Sequence, residues 1–288
     1  MEGAFAASGK QGRMSDQRAK AELLRRLHRR GEPLVLVNVW DAVSARIVEE
    51  LEFPAIATTS AGISWLEGFA DGERIPRERM LRGVARVTAS VQVPVSADLE
   101  AGYGPSSEDA ATTARGAIEA GAVGLNFEDW DERHDSLMDV DAQSARIAAI
   151  RKAGQQADVP LVINARTDVF LQGLGDNDAW RVQEATKRGN KYLEAGADCV
   201  FVPGVTDERT ITALVSSIAG PINVLAGPAT PTVARLAELG VARVSVGASA
   251  MAYVLTQFRQ LAAGIKETGS FEFPGSRLSH AEINALFP

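Results

Sequence analysis

The chain has 288 residues, a hydrophobic content of 45% and a formal net charge of −7, which provides for one large domain and argues against a nucleic-acid partner. A single cysteine, Cys199, excludes an internal disulfide and a cysteine-rich metal site. No apolar run approaches about 18 residues and no signal-peptide pattern is recognised, so we expect a cytoplasmic protein with no membrane partner.

In chain order, residues 1–14 are predicted to be a disordered extension, and residues 15–30 to form a helix that begins at Ser15 or Asp16. From there short apolar runs alternate with alanine-rich amphipathic stretches, which predicts a single domain over residues 15–288. Eight runs have the nearly continuous hydrophobic character of strands buried on both faces. They are Leu34–Val39, Ala55–Thr58, Val93–Ala97, Val123–Phe127, Leu161–Ala165, Cys199–Val202, Ile222–Leu225 and Arg243–Val246.

Helices are predicted between the strands, and several end in a glycine that is typical of a left-handed C-cap. The helical stretches are Ala42–Leu51, Arg77–Val91, Ser107–Ala120, Val140–Ala153, Asp178–Ala195, Asp207–Ile218, Thr230–Leu239 and about 249–264. Eight successive βα units predict an α/β fold, a (β/α)8 TIM barrel. The alternative, a doubly wound open sheet, is weakened by the absence of a G-x-G-x-x-G turn after the first strand.

The long tail from Ser249 to Pro288 is expected to pack on a neighbouring subunit of a homo-oligomer.

Two carboxylates, Asp98 and Glu100, stand at the end of an apolar strand. Residues two apart on a strand point to the same face, so these side chains are expected to project together. Two like charges held that close are unfavourable unless a cation lies between them, and hard oxygen ligands suit Mg²⁺ or Mn²⁺. The alternative is that Glu100 caps the following helix and Asp98 pairs with an arginine.

In such barrels the chemistry lies at the carboxyl ends of the strands. Four acidic residues follow neighbouring strands, and a single arginine, Arg166, faces them. The acids are Asp71, Asp98, Glu100 and Glu128. One cation cannot pair with all four, so we predict that they hold a divalent ion, Mg²⁺ with Mn²⁺ as the alternative, whose remaining positions are filled by water.

The lysines and histidines limit the chemistry further. None of the six lysines follows a strand, which excludes an aldolase that forms a Schiff base. The three histidines do not lie on strands, so neither a Ser-His-Asp triad nor a histidine-ligated zinc is indicated. Cleavage of a carbon bond would then require an enolate stabilised by a metal ion.

Strand ends also provide candidates for binding a substrate. Arg166 offers a guanidinium fork to a carboxylate, with pairing to one of the acids as the alternative. Ser60-Ala61-Gly62 is read as a small-residue turn whose backbone N–H groups suit an oxyanion, with an ordinary turn as the alternative. Trp40 is either a pocket wall or a core residue, and Asn223 on the seventh strand is a further binding candidate.

Five segments together resemble the isocitrate lyase/phosphoenolpyruvate mutase superfamily, in order and spacing, over about residues 30–250. They are Asn38–Ala42, Thr59–Gly62, Asp98–Gly104, Asn126–Asp129 and Ala165–Asp168. The resemblance is to members such as the carboxyvinyl-carboxyphosphonate phosphorylmutases and the oxaloacetate decarboxylases.

The resemblance implies a dimer of dimers in which the helix after the eighth strand is exchanged between neighbours. It also implies that Asp98 binds Mg²⁺ directly, whereas Asp71, Glu100 and Glu128 reach the ion through water. The substrates implied are 2-oxo or 2-hydroxy acids, in which a C–C or P–C bond is made or broken through a pyruvate-enolate-like species. Trp40, Arg166 and the Ser60–Gly62 turn match positions that contact the substrate.

The segment at residues 129–140 departs from this pattern. Lyases for isocitrate and 2-methylisocitrate carry a Lys-(Lys/Arg)-Cys-Gly loop after the fourth strand, whereas this segment has neither cysteine nor lysine, which argues against those two substrates. Arg133 and His134 are candidates for the proton donor or anion contact of this loop, and a flexible acidic loop is the alternative. A milder departure is Glu100, which stands where many relatives have aspartate.

These observations predict a Mg²⁺-dependent lyase or decarboxylase that acts on a small 2-oxo or 2-hydroxy (di)carboxylate. Asp71, Glu128, Arg166 and His134 are its candidate catalytic residues. The alternatives are a phosphonopyruvate mutase or hydrolase, a barrel that binds an oxo acid without turnover, and a barrel for phosphorylated sugars. The sugar-phosphate alternative would use Gly227 and Gly247–Ser249, but the ring of acids opposes it.

Overall fold

The computed structural model describes residues 16–271 and 275–287, and its centre is a nine-segment sheet in which every pairing is parallel. The segments are β1 (Leu34–Leu36), β2 (Asn38–Val39), β3 (Ile56–Thr58), β4 (Val95–Asp98), β5 (Gly124–Glu128), β8 (Val162–Arg166), β9 (Cys199–Phe201), β10 (Ile222–Leu225) and β11 (Arg243–Ser245). A separate antiparallel hairpin is formed by β6 (Trp130–Asp131) and β7 (Ser136–Leu137).

The sheet closes through its first barrel strand, which consists of two consecutive segments. β1 pairs with β11, whereas β2 pairs with β3, and only Val37 separates the two segments. Asn38 stabilises this junction: its Nδ2 donates to Thr58 O at 2.7 Å, and its Oδ1 accepts from Gly247 N at 2.9 Å. The predicted (β/α)8 barrel is therefore confirmed, and each predicted strand lies within two residues of the observed one.

Helices surround the barrel. They are α1 (residues 16–26), α2 (Ala42–Glu50), α3 (Ser60–Leu66), α4 (Arg77–Ser90), α5 (Ser107–Glu119), α6 (Val140–Gln156), α7 (Asp178–Glu194), α8 (Glu208–Ser217), α9 (Val233–Glu238), α10 (Ser249–Thr268) and α11 (His280–Ala285). Local signals fix many of the bounds. Asp41 and Ser44 form a capping box at the start of α2, and the glycines after α5, α7 and α9 have positive φ, as the C-cap pattern predicts. In the part of the chain that the structure describes, no helix is suited in length and hydropathy to crossing a membrane.

The apolar core lies between the sheet and the helices. Side chains such as Leu36, Ile63 and Leu125 are almost fully excluded from solvent there. The inside of the barrel is different, because it contains buried polar groups, among them Asn126 and Arg243. The hydrophobic pattern predicts that these strands are buried. It does not predict that the polar side chains of Asn126 and Arg243 are buried inside the barrel.

Helix α3 corrects one prediction. Ser60, Ala61 and Gly62 do not form a loop. They are the first three residues of helix α3, and Thr59 is its N-cap. Although serine and glycine are weak helix formers, the side chain of Thr59 accepts from Gly62 N, and the helix buries Ile63 completely. Capping and burial together outweigh the low intrinsic propensity.

The C-terminal tail contains α10 and α11. Met251 is the only buried side chain of α10, whereas Tyr253 and Phe258 are each 68% exposed. The exchange of this helix between subunits stays a prediction. The division into an extension at 1–14 and one domain at 15–288 also stays a prediction, because residues 1–15, 272–274 and 288 lie outside the described residues.

Candidate active site

A cavity of about 190 Å³, lined by both polar and apolar side chains, lies at the carboxyl ends of the barrel strands. Its lining residues are Asn38, Thr59, Ser60, Ala61, Asp71, Asp98, Asn126, Arg166, Leu171, Phe201, Pro203, Leu225, Ser245, Gly247 and Ala248. The volume is below the roughly 300–1,000 Å³ of sites for drug-sized ligands. The cavity therefore suits a small molecule.

Asp98, the last residue of β4, is held from one side. Its Oδ2 accepts from Ser60 N at 3.0 Å and from Ser60 Oγ at 2.9 Å, while its backbone N–H donates to Thr58 Oγ1 at 2.9 Å. Its other oxygen, Oδ1, has only a long contact of 3.5 Å with Asn126 Nδ2. Ser60 of α3 thus fixes Oδ2 of Asp98, whereas Oδ1 is held more weakly.

Glu100 corrects the prediction that was based on strand alternation. The strand ends at Asp98, and Glu100 has a φ of 53°, in the left-handed region, so the period-two geometry does not extend to it. Its carboxylate accepts from Glu73 N and, at 3.2 Å, from Tyr103 Oη. Burial, followed by the charges of Asp71 and Asp98, raises the pKa of Glu100 to about 8 despite the Glu73 hydrogen bond.

Asp71 joins the group from the loop between α3 and α4. It lines the cavity, and burial followed by the charge of Asp98 raises its pKa. Within residues 16–271 and 275–287, no salt bridge reaches Asp71, Asp98 or Glu100. These three carboxylates therefore interact with one another electrostatically, and Arg166 offsets part of the charge of Asp71 without forming a salt bridge to it.

Arg166 is engaged by two acids. Its Nε and Nη2 donate to the two oxygens of Asp168 at 2.5 and 2.7 Å, and its Nη1 lies 2.6 Å from Glu128 Oε2. Burial alone would lower the pKa of Arg166, but the charges of Glu128 and Asp168 raise it. The alternative in which Arg166 pairs with an acid is thus what this structure shows, although Arg166 also lines the cavity.

Glu128 is buried beside Arg166. Burial raises the pKa of this carboxyl group, whereas the Arg166 charge opposes the shift. Of the four predicted acids, Glu128 alone has a salt-bridge partner among the described residues.

A second layer of residues, which the sequence interpretation did not assign to the site, supports Arg166. Asp129 is fully buried, and its Oδ1 accepts from Asp168 N at 3.0 Å. Its Oδ2 accepts from Tyr192 Oη at 2.7 Å and from Arg188 Nη1 at 3.1 Å. Asp129 and Asp168 lie in two of the five segments that carry the resemblance, so their positions were the available signal.

Glu100 and Glu128 do not line the cavity, and neither do four other candidates. Trp40 is partly buried and packs against the apolar core, and Gly62 lies within α3. Asn223 is fully buried and bonds to Ser245 Oγ at 3.3 Å. His134 lies at the tip of the β6–β7 hairpin with a side chain that is 72% exposed, and its Nδ1 is 2.8 Å from Asp131 Oδ2.

Comparison with known proteins assigns the family. Residues 24–266 match the family described as phosphoenolpyruvate phosphomutase. The chain belongs to the phosphoenolpyruvate phosphomutase family. The predicted membership of the isocitrate lyase/phosphoenolpyruvate mutase superfamily is thereby confirmed.

Individual family members are similar over most of the chain. A candidate phosphonomutase from Burkholderia cenocepacia J2315 has a crystal structure that is 41% identical, with a TM-score of 0.81, over 88% of this chain and 100% of that one. An uncharacterized protein of Mycobacterium tuberculosis is 36% identical over 77% of this chain and 80% of its own length. Oxaloacetate decarboxylase 2 of Pseudomonas fluorescens is 27% identical over 85% of this chain and 82% of its own. The phosphoenolpyruvate phosphomutase family thus includes relatives named for C–C cleavage and for P–C chemistry.

Proposed function

We propose that this protein is a Mg²⁺-dependent lyase or decarboxylase that cleaves a C–C bond in a small 2-oxo or 2-hydroxy (di)carboxylate. The observation that supports it most is the group of Asp71, Asp98 and Glu100: among the described residues none of the three forms a salt bridge, and Asp71 and Asp98 line a small cavity. Buried like charges are unfavourable without compensation, and oxygen ligands of this type favour Mg²⁺.

The residues fit a hydrated divalent ion. In the described ranges, no three His, Cys, Asp or Glu side chains form a ready cluster of direct metal ligands. Mg²⁺ retains several waters and takes only one or two carboxylates directly, so Asp98 would hold it through Oδ1, with Asp71, Glu100 and Glu128 bound through water. When bound, the ion supplies Lewis-acid stabilisation of a developing enolate.

The chain's own residues orient the acid. Ser60 holds one Asp98 oxygen, so the carboxylate keeps one orientation toward the cavity. Arg166 lines the cavity and is held by Asp168 and Glu128, so it would bind a substrate carboxylate by exchanging its Glu128 contact. Leu171 and Phe201 supply the apolar part of the lining, which limits the access of water to the reacting bond.

A phosphonopyruvate mutase or hydrolase is the second candidate, since the 41% identical relative is a candidate phosphonomutase. Such a reaction requires cations around the phosphonate. The hairpin provides Arg133 and His134, but both are bound to Asp131, with Arg133 Nε at 2.8 Å from Oδ1. Although burial opposes it, these hydrogen bonds lower the pKa of Asp131 to about 2. The geometry therefore favours C–C chemistry.

We further propose that the enzyme acts as a homo-oligomer, a dimer of dimers, in the cytoplasm. The exposed apolar residues of α10 support an interface, because Tyr253, Val254, Leu255 and Phe258 form an apolar surface on one helix.

The test is a substrate panel with Mg²⁺ and with EDTA. Oxaloacetate, phosphonopyruvate, isocitrate, methylisocitrate and dimethylmalate are offered, and pyruvate, glyoxylate and phosphate are measured. EDTA-sensitive pyruvate without phosphate is the expected result. Phosphate release would assign the enzyme to the phosphonate branch, and inactivity on all five acids would contradict the proposal in favour of a non-catalytic oxo-acid barrel.

A further inference from the structure

Arg243 is a charged side chain in an unusual place. It begins β11, it is 0% exposed, and it contacts Asn126 on β5, a strand that is not its neighbour in the sheet. The contact therefore crosses the inside of the barrel. Burial lowers the pKa of Arg243 to about 10, so the guanidinium is still charged at neutral pH.

The guanidinium has no carboxylate to compensate it. Among the described residues no salt bridge involves Arg243; Nη2 donates to Asn126 Oδ1 at 3.1 Å, and Nη1 lies 3.4 Å from His28 Nε2. Its Nε has no hydrogen-bond partner. Burying a charge in this way is costly, and replacement of such groups by apolar residues of similar volume is often neutral or stabilising. Stability alone does not account for an arginine at this position.

The position of Arg243 determines the orientation of Asn126. A guanidinium only donates, so the Asn126 atom that it contacts must be the oxygen. Asn164 Nδ2 donates to the same oxygen at 2.7 Å. The amide nitrogen is thereby turned to the opposite side, where it lies 3.5 Å from Asp98 Oδ1 at the cavity wall.

We propose that Arg243 is a positioning residue that holds Asn126 as a hydrogen-bond donor to an oxygen of the bound acid. This inference rests on the proposed function. Carboxylate and enolate oxygens only accept, so a fixed N–H donor recognises them.

The probe is oxalate, a small dicarboxylate, titrated calorimetrically with Mg²⁺ present; Mg²⁺ is also titrated alone. In Asn126→Asp the side chain still accepts from Arg243 and Asn164 but no longer donates. Its oxalate affinity should fall about 10- to 100-fold, the worth of one hydrogen bond to a charged group, while Mg²⁺ affinity does not fall. Asn190→Asp, on α7 and remote from the cavity, is the matched control and should bind oxalate as the wild type does.

Arg243 is tested separately. Arg243→Met should fold with equal or higher thermal stability and bind oxalate about tenfold more weakly, whereas Arg243→Lys should recover part of the affinity. In an Asn126→Ala background, Arg243→Met should cause no further loss, because the positioning acts through Asn126. If Arg243→Met does not fold, Arg243→Lys compared in the wild-type and Asn126→Ala backgrounds decides the same point.

Three outcomes would overturn the inference. Undiminished oxalate affinity in Asn126→Asp would contradict the proposed role of Asn126 as a hydrogen-bond donor. It would leave the proposed function intact. An equal effect of the Arg243 substitution with and without Asn126 would show that Arg243 acts only on stability or charge. If the wild type bound no oxalate with Mg²⁺, the proposed function itself would be contradicted, and this inference with it.

Discussion

The four predicted acidic residues differ in how each carboxylate is held. Arg166 satisfies Glu128, whereas Asp98 is bound by Ser60 through one oxygen only, and Asp71 and Glu100 lack a cation among the described residues. Asp98 is therefore the residue whose second oxygen is best placed to bind a metal ion directly.

Replacement of Asp98 tests this assignment. Asp98→Asn keeps the shape and the contact with Ser60, but it removes the charge, so Mg²⁺ affinity should fall at least about tenfold and activity with it. Calorimetry measures the first effect and circular dichroism checks the fold. Asp158→Asn, an exposed aspartate, serves as the control, and unchanged Mg²⁺ affinity in Asp98→Asn would defeat the assignment.

Arg166→Lys tests the planar fork. A lysine cannot maintain the paired contacts with Asp168 while also reaching Glu128. Arg166 would bind the substrate carboxylate by exchanging its Glu128 contact, and loss of that charge-assisted hydrogen bond should raise KM about 10- to 100-fold for the substrate identified by the panel. A variant with wild-type KM and kcat would show that Arg166 has only a structural role.

His28 should make stability depend on pH. Burial, followed by the charge of Arg243, lowers the pKa of His28 to about 4, with Arg25 acting in the same direction and Asp198 against it. The unfolded state therefore binds the proton first, and stability falls as pH decreases from about 6.5 toward 4. Between pH 7 and 5 this contributes about 2 kcal/mol. Urea unfolding at both pH values should show a smaller loss in His28→Asn, and an equal loss would refute the contribution.

At the scale of elements, the loop after β4 is built by backbone conformation. Glu100, Gly102, Tyr103 and Gly104 all have positive φ, and the loop is bonded to the α3–α4 loop through Glu73. Arg146 supports it from α6 by donating to Gly104 O at 2.7 Å. These contacts hold Glu100 beside Asp71 and Asp98 although the strand has already ended.

Gly102→Ala tests whether this loop requires a glycine. Gly102 has a φ of 90°, and a methyl group there would lie 2.5 Å from Phe127 Cε2. We expect a loss of more than about 1 kcal/mol in unfolding free energy, since both strain and a clash arise. Gly68→Ala is the control, because Gly68 has a φ of 81° but no neighbour within 4 Å. Equal losses in the two variants would mean that the contact with Phe127 is unimportant.

At the scale of the whole molecule, the barrel leaves α10 largely uncovered. Four of its apolar side chains are at least 44% exposed, which is unfavourable for an isolated chain in water. The arrangement favours burial of this helix against a second copy.

Charged substitutions on α10 test the assembly. Phe258→Asp combined with Tyr253→Asp should shift the sedimentation equilibrium to a smaller species, because a charge buried in an apolar interface is costly. Gln155→Asp introduces one negative charge at an exposed position of α6 and should leave the assembly unchanged. A wild type that is monomeric at micromolar concentration would refute the proposed oligomer.

From the sequence by itself, the barrel, its strands and the positions of Asp98 and Glu128 at strand ends could be predicted, because buried runs, caps and C-cap glycines are local signals. The tertiary structure alone decided that Glu100 leaves the strand, that Ser60–Gly62 begins a helix and that Arg166 is bound by Asp168 and Glu128. It also brought Arg243 to Asn126, 117 positions away, across the barrel. Such partners depend on closure of the sheet and on backbone dihedral angles, and neither is encoded in the hydrophobic pattern of any one segment.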